Sequence, residues 1–71
     1  MNIIIVGLGK IGTTMTKQLV AEGHDVTVID INHDTVVSTV DACDVMGICG
    51  NGASREILEE AGASKAKLII A

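Results

Sequence analysis

The sequence has no phenylalanine, tyrosine or tryptophan, only two cysteines, and five basic residues against nine acidic ones in 71 positions. Without aromatic rings it offers no platform on which nucleic-acid bases stack. The net charge of −4, with the basic residues scattered, gives no cationic surface for a phosphate backbone. Without tyrosine there is no Tyr-x-x-x-Lys proton relay. The longest apolar runs, Ile3 to Val6 and Leu68 to Ala71, are far short of the roughly 20 residues that cross a bilayer. No basic stretch precedes the first run, so the sequence reads as having no signal peptide and no membrane insertion. Cys43 and Cys49 stand far in sequence from His24 and His33, a spacing that fits neither a disulfide framework nor a zinc site. They read as ordinary thiols of a reducing cytoplasm.

A chain of this length is one small domain at most, burying roughly 60% of its unfolded surface. With no large ring to add buried area, it reads as part of something larger or as a subunit that needs a partner.

What is present is a pattern that changes period repeatedly. Asn2 to Val6 is an unbroken β-branched apolar run bounded by Gly7, the mark of a strand buried on both faces. From Lys10 to Glu22 the apolar residues Ile11, Met15, Leu19 and Val20 fall on one helical face, and Gly23 supplies the stop. Val26 to Ile29 is a second strand closed by Asp30. Asn32 is placed to cap a helix over His33 to Asp41, with Val36, Val37 and Val40 on one side. Asp44 to Cys49 is a third strand, ended by Gly50-Asn51-Gly52. Ser54 is placed to cap a third helix through Glu60, with Gly62 beyond it, and Lys67 to Ala71 is a fourth strand. Met15 and Met46 read as packing residues. Strands alternating with helices imply right-handed parallel crossovers and an α/β class. The expected architecture is a Rossmann-type parallel sheet of order 3-2-1-4, the first half of a doubly wound fold.

Between the first strand and first helix stands Gly7-Leu8-Gly9-Lys10-Ile11-Gly12, a G-x-G-x-x-G. The string alone is weak, but here a strand precedes it, a helix follows, and an acid ends the next strand. Gly7 turns the chain off the strand, Gly9 lets backbone approach a pyrophosphate, and Gly12 lets the helix pack close to the sheet. The N–H groups of the first helical turn then face the anion. Leu8, Lys10 and Ile11 complete this loop, and Lys10 adds charge beside it or stays solvated. Asp30 stands where a carboxylate accepts both ribose hydroxyls and repels a 2′-phosphate. No arginine follows it, which favours NAD, NADH, ADP or ATP over NADP. Gly50-Asn51-Gly52 is expected at the same sheet edge. There Asn51 has a donor and an acceptor for an adenine edge, or the turn simply uses glycine and asparagine for positive φ. Arg55 reads as a surface residue, the alternative being reach to a phosphate or a neighbouring subunit. No Walker lysine loop, no Ser-His-Asp and no Cys-His arrangement is present, so no catalytic residue is assigned.

The order Ile-Ile-Ile-Val-Gly-Leu-Gly-Lys-Ile-Gly, then Val-Thr-Val-Ile-Asp, then Gly50-Asn-Gly-Ala-Ser54 and Leu58-Glu-Glu-Ala-Gly62 resembles the regulator-of-potassium-conductance (RCK) domains. More narrowly, it is similar to the N-terminal nucleotide-binding domains of TrkA-type bacterial potassium-uptake proteins. That resemblance implies a cytoplasmic subunit, peripheral to the inner face of the membrane, that forms dimers or rings beneath an integral-membrane potassium transporter or channel. It implies NAD(H) or adenine nucleotides as effectors, with Gly7, Gly9 and Gly12 at the phosphates and Asp30 at the ribose. Ile31 would lie beside the adenine, with Asn51 and Gly52 at its edge. Relatives continue beyond a fourth strand, so residues 1–71 correspond to the first part of such a domain. The expectation is a non-catalytic nucleotide sensor of potassium uptake. Its rivals are the N-terminal piece of an NAD-dependent dehydrogenase and a structural module with a vacant glycine loop.

Overall fold

In the computed structural model the elements run β1 (Asn2–Val6), α1 (Lys10–Ala21), β2 (Asp25–Asp30), α2 (His33–Ala42), β3 (Met46–Cys49), α3 (Arg55–Glu60), a 3-10 turn (Ala63–Lys65) and β4 (Lys67–Ile70). The structure describes residues 1–52 and 54–70, and for residues 63 and 68–70 the backbone alone. Ala53 of the glycine-rich turn and the expected strand end at Ala71 lie outside the described residues.

The four strands form one parallel sheet in the order β3-β2-β1-β4. β1 is central, pairing Ile5 with Val28 of β2 on one side and with Ile69 of β4 on the other. The α/β class is therefore that expected from the alternating pattern. Ile3, Ile5, Val26 and Val28, at alternate positions of the two inner strands, join Leu8 and Val36 in the core. Met15, Leu19 and Val20 of α1 pack on them. The opposite face carries Ile4 and Ile29, both buried, and continues through Thr27 to Met46.

The first helix makes its contact differently from the apolar stripe read off the sequence. Its buried residues are Gly12 and Thr16, so the line of closest approach runs through two small side chains. Ile11 sits one position off that line and is 70% exposed. The Thr16 hydroxyl, sealed in the contact, donates to the Gly12 carbonyl at 2.7 Å. Thr39 of α2 does the same to the Thr35 carbonyl at 2.8 Å, which lets a polar side chain occupy an inward position at little cost. Val36 is buried beside Thr39 and Val37 faces outward, whereas Val40 is part-exposed with its side chain against Gly47 of β3. Met15 packs on the core as expected, but Met46 is 68% exposed because it stands on the edge strand β3.

Ends and caps follow local chemistry. Gly23, at φ +88°, closes α1: its N–H donates to the Val20 carbonyl and that of His24 to the Leu19 carbonyl, a Schellman pattern. Asn32 caps α2 by accepting the Thr35 N–H at 3.1 Å. Ser54 holds the cap position of α3 but makes no side-chain cap bond. The third strand begins at Met46, two residues later than expected. A turn in which the Val45 N–H donates to the Cys43 carbonyl precedes it. With Met46 opposite Thr27, two more ladder positions would set Asp44 opposite Asp25, and facing carboxylates repel. The 3-10 turn before β4 has no counterpart in the sequence reading.

The burial pattern makes a direct prediction for urea unfolding. Ile5→Ala, in a fully buried side chain of the central strand, should cost about 2–5 kcal/mol. Ile11→Ala should stay within about 0.5 kcal/mol of the parent. Similar midpoints for the two variants would contradict this placement of α1.

Candidate functional site

β1, β2 and β3 end on the same edge of the sheet, and the segments that leave them meet there. Gly7, Asp30, Ile31, Asn51 and Gly52, with Val6, Ile29 and Gly50, line an open cleft of about 330 Å3 at this edge. In open α/β sheets this is where ligands bind, beyond the carboxyl ends of the strands. β1 also marks the point where the chain, having stepped outward to β3, returns to β4 on the other side.

The glycine loop is built residue by residue. Gly7 has φ +93°, a conformation side chains resist, and its N–H donates to the Ile29 carbonyl at 2.9 Å. Leu8 is buried, so only its backbone faces the loop. Gly9 is the N-cap residue of α1, with φ −67° and ψ −171°, a conformation open to any residue. An added Cβ at Gly9 meets nothing within 4 Å. Neither backbone strain nor packing within the fold therefore requires glycine at this position. Because Gly9 has no side chain, no side-chain cap covers the first turn of α1, and that turn contains no acidic residue. The N–H groups of Lys10, Ile11 and Gly12 have no intrahelical acceptor and carry the positive end of the helix dipole. Lys10 is exposed and Gly12 buried. Lys10, by charge, adds to the attraction for an anion there.

Asp30 organises the edge. Its Oδ2 accepts the Leu8 N–H at 2.7 Å, and its Oδ1 accepts the Asn32 N–H at 2.8 Å. Its backbone carbonyl accepts the Gly50 N–H at 2.9 Å. One residue thus ties together the loops that follow β1, β2 and β3. The bond to Asn32 is an Asx-turn, a local signal that the sequence carries. The bond to Leu8 joins residues 22 apart, and nothing in the local sequence announces it.

Beside Asp30, Ile31 is 77% exposed, a large apolar side chain presented at a polar edge. The Cys49 thiol donates to the Ile31 carbonyl at 3.5 Å. The Gly50-Asn51-Gly52 turn is made by packing and not by positive φ, which among the described residues is confined to Gly7, Gly23 and Gly62. A Cβ at Gly50 would press on Ile57 of α3, and one at Gly52 would collide with the Val6 side chain. The Asn51 carbonyl accepts the Ser54 N–H at 2.9 Å, which starts the turn into α3. Arg55 lies on that helix, fully outward, and pairs with Glu59 at 3.4 Å.

Five of the residues expected at a nucleotide thus share one cleft. Leu8, Gly9, Lys10, Ile11 and Gly12 form the adjoining loop and helix start. Among the described residues no group of three or more His, Cys, Asp or Glu side chains is placed to hold a metal ion. No helix among them is long and apolar enough to cross a membrane.

Comparison with known proteins gives a consistent result. A family model described as the TrkA-N domain matches residues 3–71. The "Trk system potassium uptake protein TrkA homolog" of Methanothermobacter thermautotrophicus is 37% identical over the whole chain, which spans 33% of that relative. The "Trk system potassium uptake protein TrkA" of Vibrio alginolyticus is also 37% identical over all 71 residues, here 16% of its length. Among solved structures, the Shewanella denitrificans Kef CTD in its AMP-bound form superposes with a TM-score of 0.80. It is 26% identical, over 97% of this chain and 40% of that one.

The packing at Gly52 can be tested without any ligand. Gly52→Ala should cost about 1–3 kcal/mol by denaturant unfolding. Adding Val6→Ala should make the double variant more stable than the two single costs predict, by at least about 0.5 kcal/mol. Strict additivity would show that Val6 does not set the limit.

Proposed function

Because the chain belongs to the TrkA-N domain family, we propose that it is the adenine-nucleotide sensor of a potassium-uptake system, non-catalytic in itself. One observation carries the reading: Gly9 lies over open space in an ordinary backbone conformation, at an uncapped helix start. The fold does not use the missing side chain, but an approaching phosphate would. Gly7, Gly9 and Gly12 with Lys10 would hold the phosphates, Asp30 the ribose hydroxyls, and Ile31 one face of the adenine. Asn51 and Gly52 would border its edge. The family model and the AMP-bound form of the Kef neighbour support nucleotide binding by a domain of this fold. NAD or NADH would present its ADP half to the same groups. NADP would set a 2′-phosphate against the Asp30 carboxylate and is the disfavoured ligand.

On this reading residues 1–71 are the first part of a Rossmann-type domain, and the curated relatives it matches are three to six times longer. The assembly proposed from them is a dimer or ring at the cytoplasmic side of an integral-membrane potassium transporter. A nucleotide controls such an assembly only by binding one of its conformations better than another. No nucleic acid is expected as a partner.

Thermal unfolding of this chain with AMP, ADP, ATP, NAD, NADH and NADP tests the site. A ligand at about 100 times its Kd adds about 2.7 kcal/mol, which in so small a domain raises Tm by about 10 °C or more. Adenosine phosphates and NAD(H) should raise Tm well above the effect of NADP; no shift with any nucleotide would reject the reading. Gly9→Val should abolish the shifts while changing the ligand-free stability by no more than about 1 kcal/mol, the scale of an N-cap change. Retained binding by that variant would remove Gly9 from the site.

A further inference from the structure

The Asp30 carboxylate has more to do than contact a ribose. Each of its oxygens already accepts one backbone N–H, from Asn32 on Oδ1 and from Leu8 on Oδ2. An ionised carboxylate has about four acceptor positions, so one on each oxygen is left over. Two ribose hydroxyls fill that remainder without displacing either amide. Leu8 is itself anchored in the core, and Gly7 before it is bonded to the Ile29 carbonyl. The bond from Leu8 to Asp30, at 2.7 Å against 3.4 Å for the Thr13 hydroxyl on the Leu8 carbonyl, is therefore the shorter of the two side-chain bonds that hold the loop directly ahead of Gly9, where no cap on α1 and no packing on Gly9 does so.

We propose that Asp30 is a positioning residue, a carboxylate latch that holds the glycine loop in its binding geometry before any nucleotide arrives, and that the ribose adds to this latch without opening it. The consequence is that Asp30 acts on the phosphates, which it does not touch. A loop already in place loses little freedom on binding, and that gain is kept by ligands with no ribose hydroxyls. Asparagine cannot substitute, because the two N–H donors sit on different oxygens and its NH2 group would face one of them, and its single oxygen has two acceptor positions where the amides and the ribose together need four. In its ligand arm the proposal rests on the nucleotide reading above; in its structural arm it does not.

The experiment has two arms. In the first, amide hydrogen exchange is followed by NMR in ligand-free parent and Asp30→Asn chains. The Leu8 amide should lose at least tenfold in protection, while Val28 in the core, two residues from the substitution, keeps its own. Unchanged protection at Leu8 would overturn the latch. If Asp30→Asn does not fold, the parent chain still decides: its Leu8 amide should exchange at least tenfold more slowly than an unstructured amide, and an unprotected Leu8 would overturn the proposal. In the second arm, calorimetry compares AMP with 2′,3′-dideoxyadenosine monophosphate on both chains. A residue that only meets the ribose would leave the dideoxy ligand bound equally by both. The latch predicts about tenfold weaker binding of that ligand by Asp30→Asn, and equal binding would refute it. If the parent chain binds neither ligand, the nucleotide reading falls, and the exchange result still decides the latch.

Discussion

The carboxylate and carbonyl of Asp30 receive backbone N–H groups from Leu8, Asn32 and Gly50, and the edge of the sheet depends on these bonds. Each bond is ordinary, and hydrogen bonds to a charged acceptor are worth about 1.5–3 kcal/mol. Their importance lies in what they connect. The loops after three parallel strands have no ladder of their own, and buried or half-buried loop amides need acceptors. A single residue at the end of β2, the strand between β1 and β3, is within reach of both neighbours. It gives the glycine loop a shape that does not depend on ligand.

The glycines of this chain do different jobs, and separating them is what the proposed site rests on. Gly7, Gly23 and Gly62 adopt positive φ, and the chain turns through them. Gly47, Gly50 and Gly52 make room for valine and isoleucine side chains pressed against them. Gly12 lies in the contact of α1 with the sheet. Gly9 alone among the glycines whose surroundings are described here is neither strained nor crowded at the cleft, so the space above it is available to something from outside. A dinucleotide fingerprint in sequence merges these roles; the structure divides them into turn, packing and one open position.

The two faces of the sheet are covered by different elements. α1 and α2 cover one face through Met15, Leu19, Val20 and Val36. The other buries Ile4 and Ile29, and the turn after α3, through Ala61, Gly62 and Lys65, borders a groove that reaches Ile4 and Met46.

Much of this was legible in the residues themselves. The apolar runs, their change from strand to helix period, the glycine stops and the Asn32 cap are local signals, because each depends on groups a few residues apart. They determine the α/β class, the element order and the glycine loop ahead of a helix. The cleft was legible only as a list of residues expected on one edge, and the tertiary structure decided how they meet. Thr16 displaced Ile11 from the contact face because the helix sits closest where side chains are smallest. Met46 became exposed because its strand is an edge, and Gly52 is fixed by Val6, not by its own φ. The bond from Leu8 to Asp30 exists because β1 and β2 pair in parallel with Val6 opposite Ile29, which sets the two strand ends side by side. That register joins positions 22 residues apart, and no local propensity contains it.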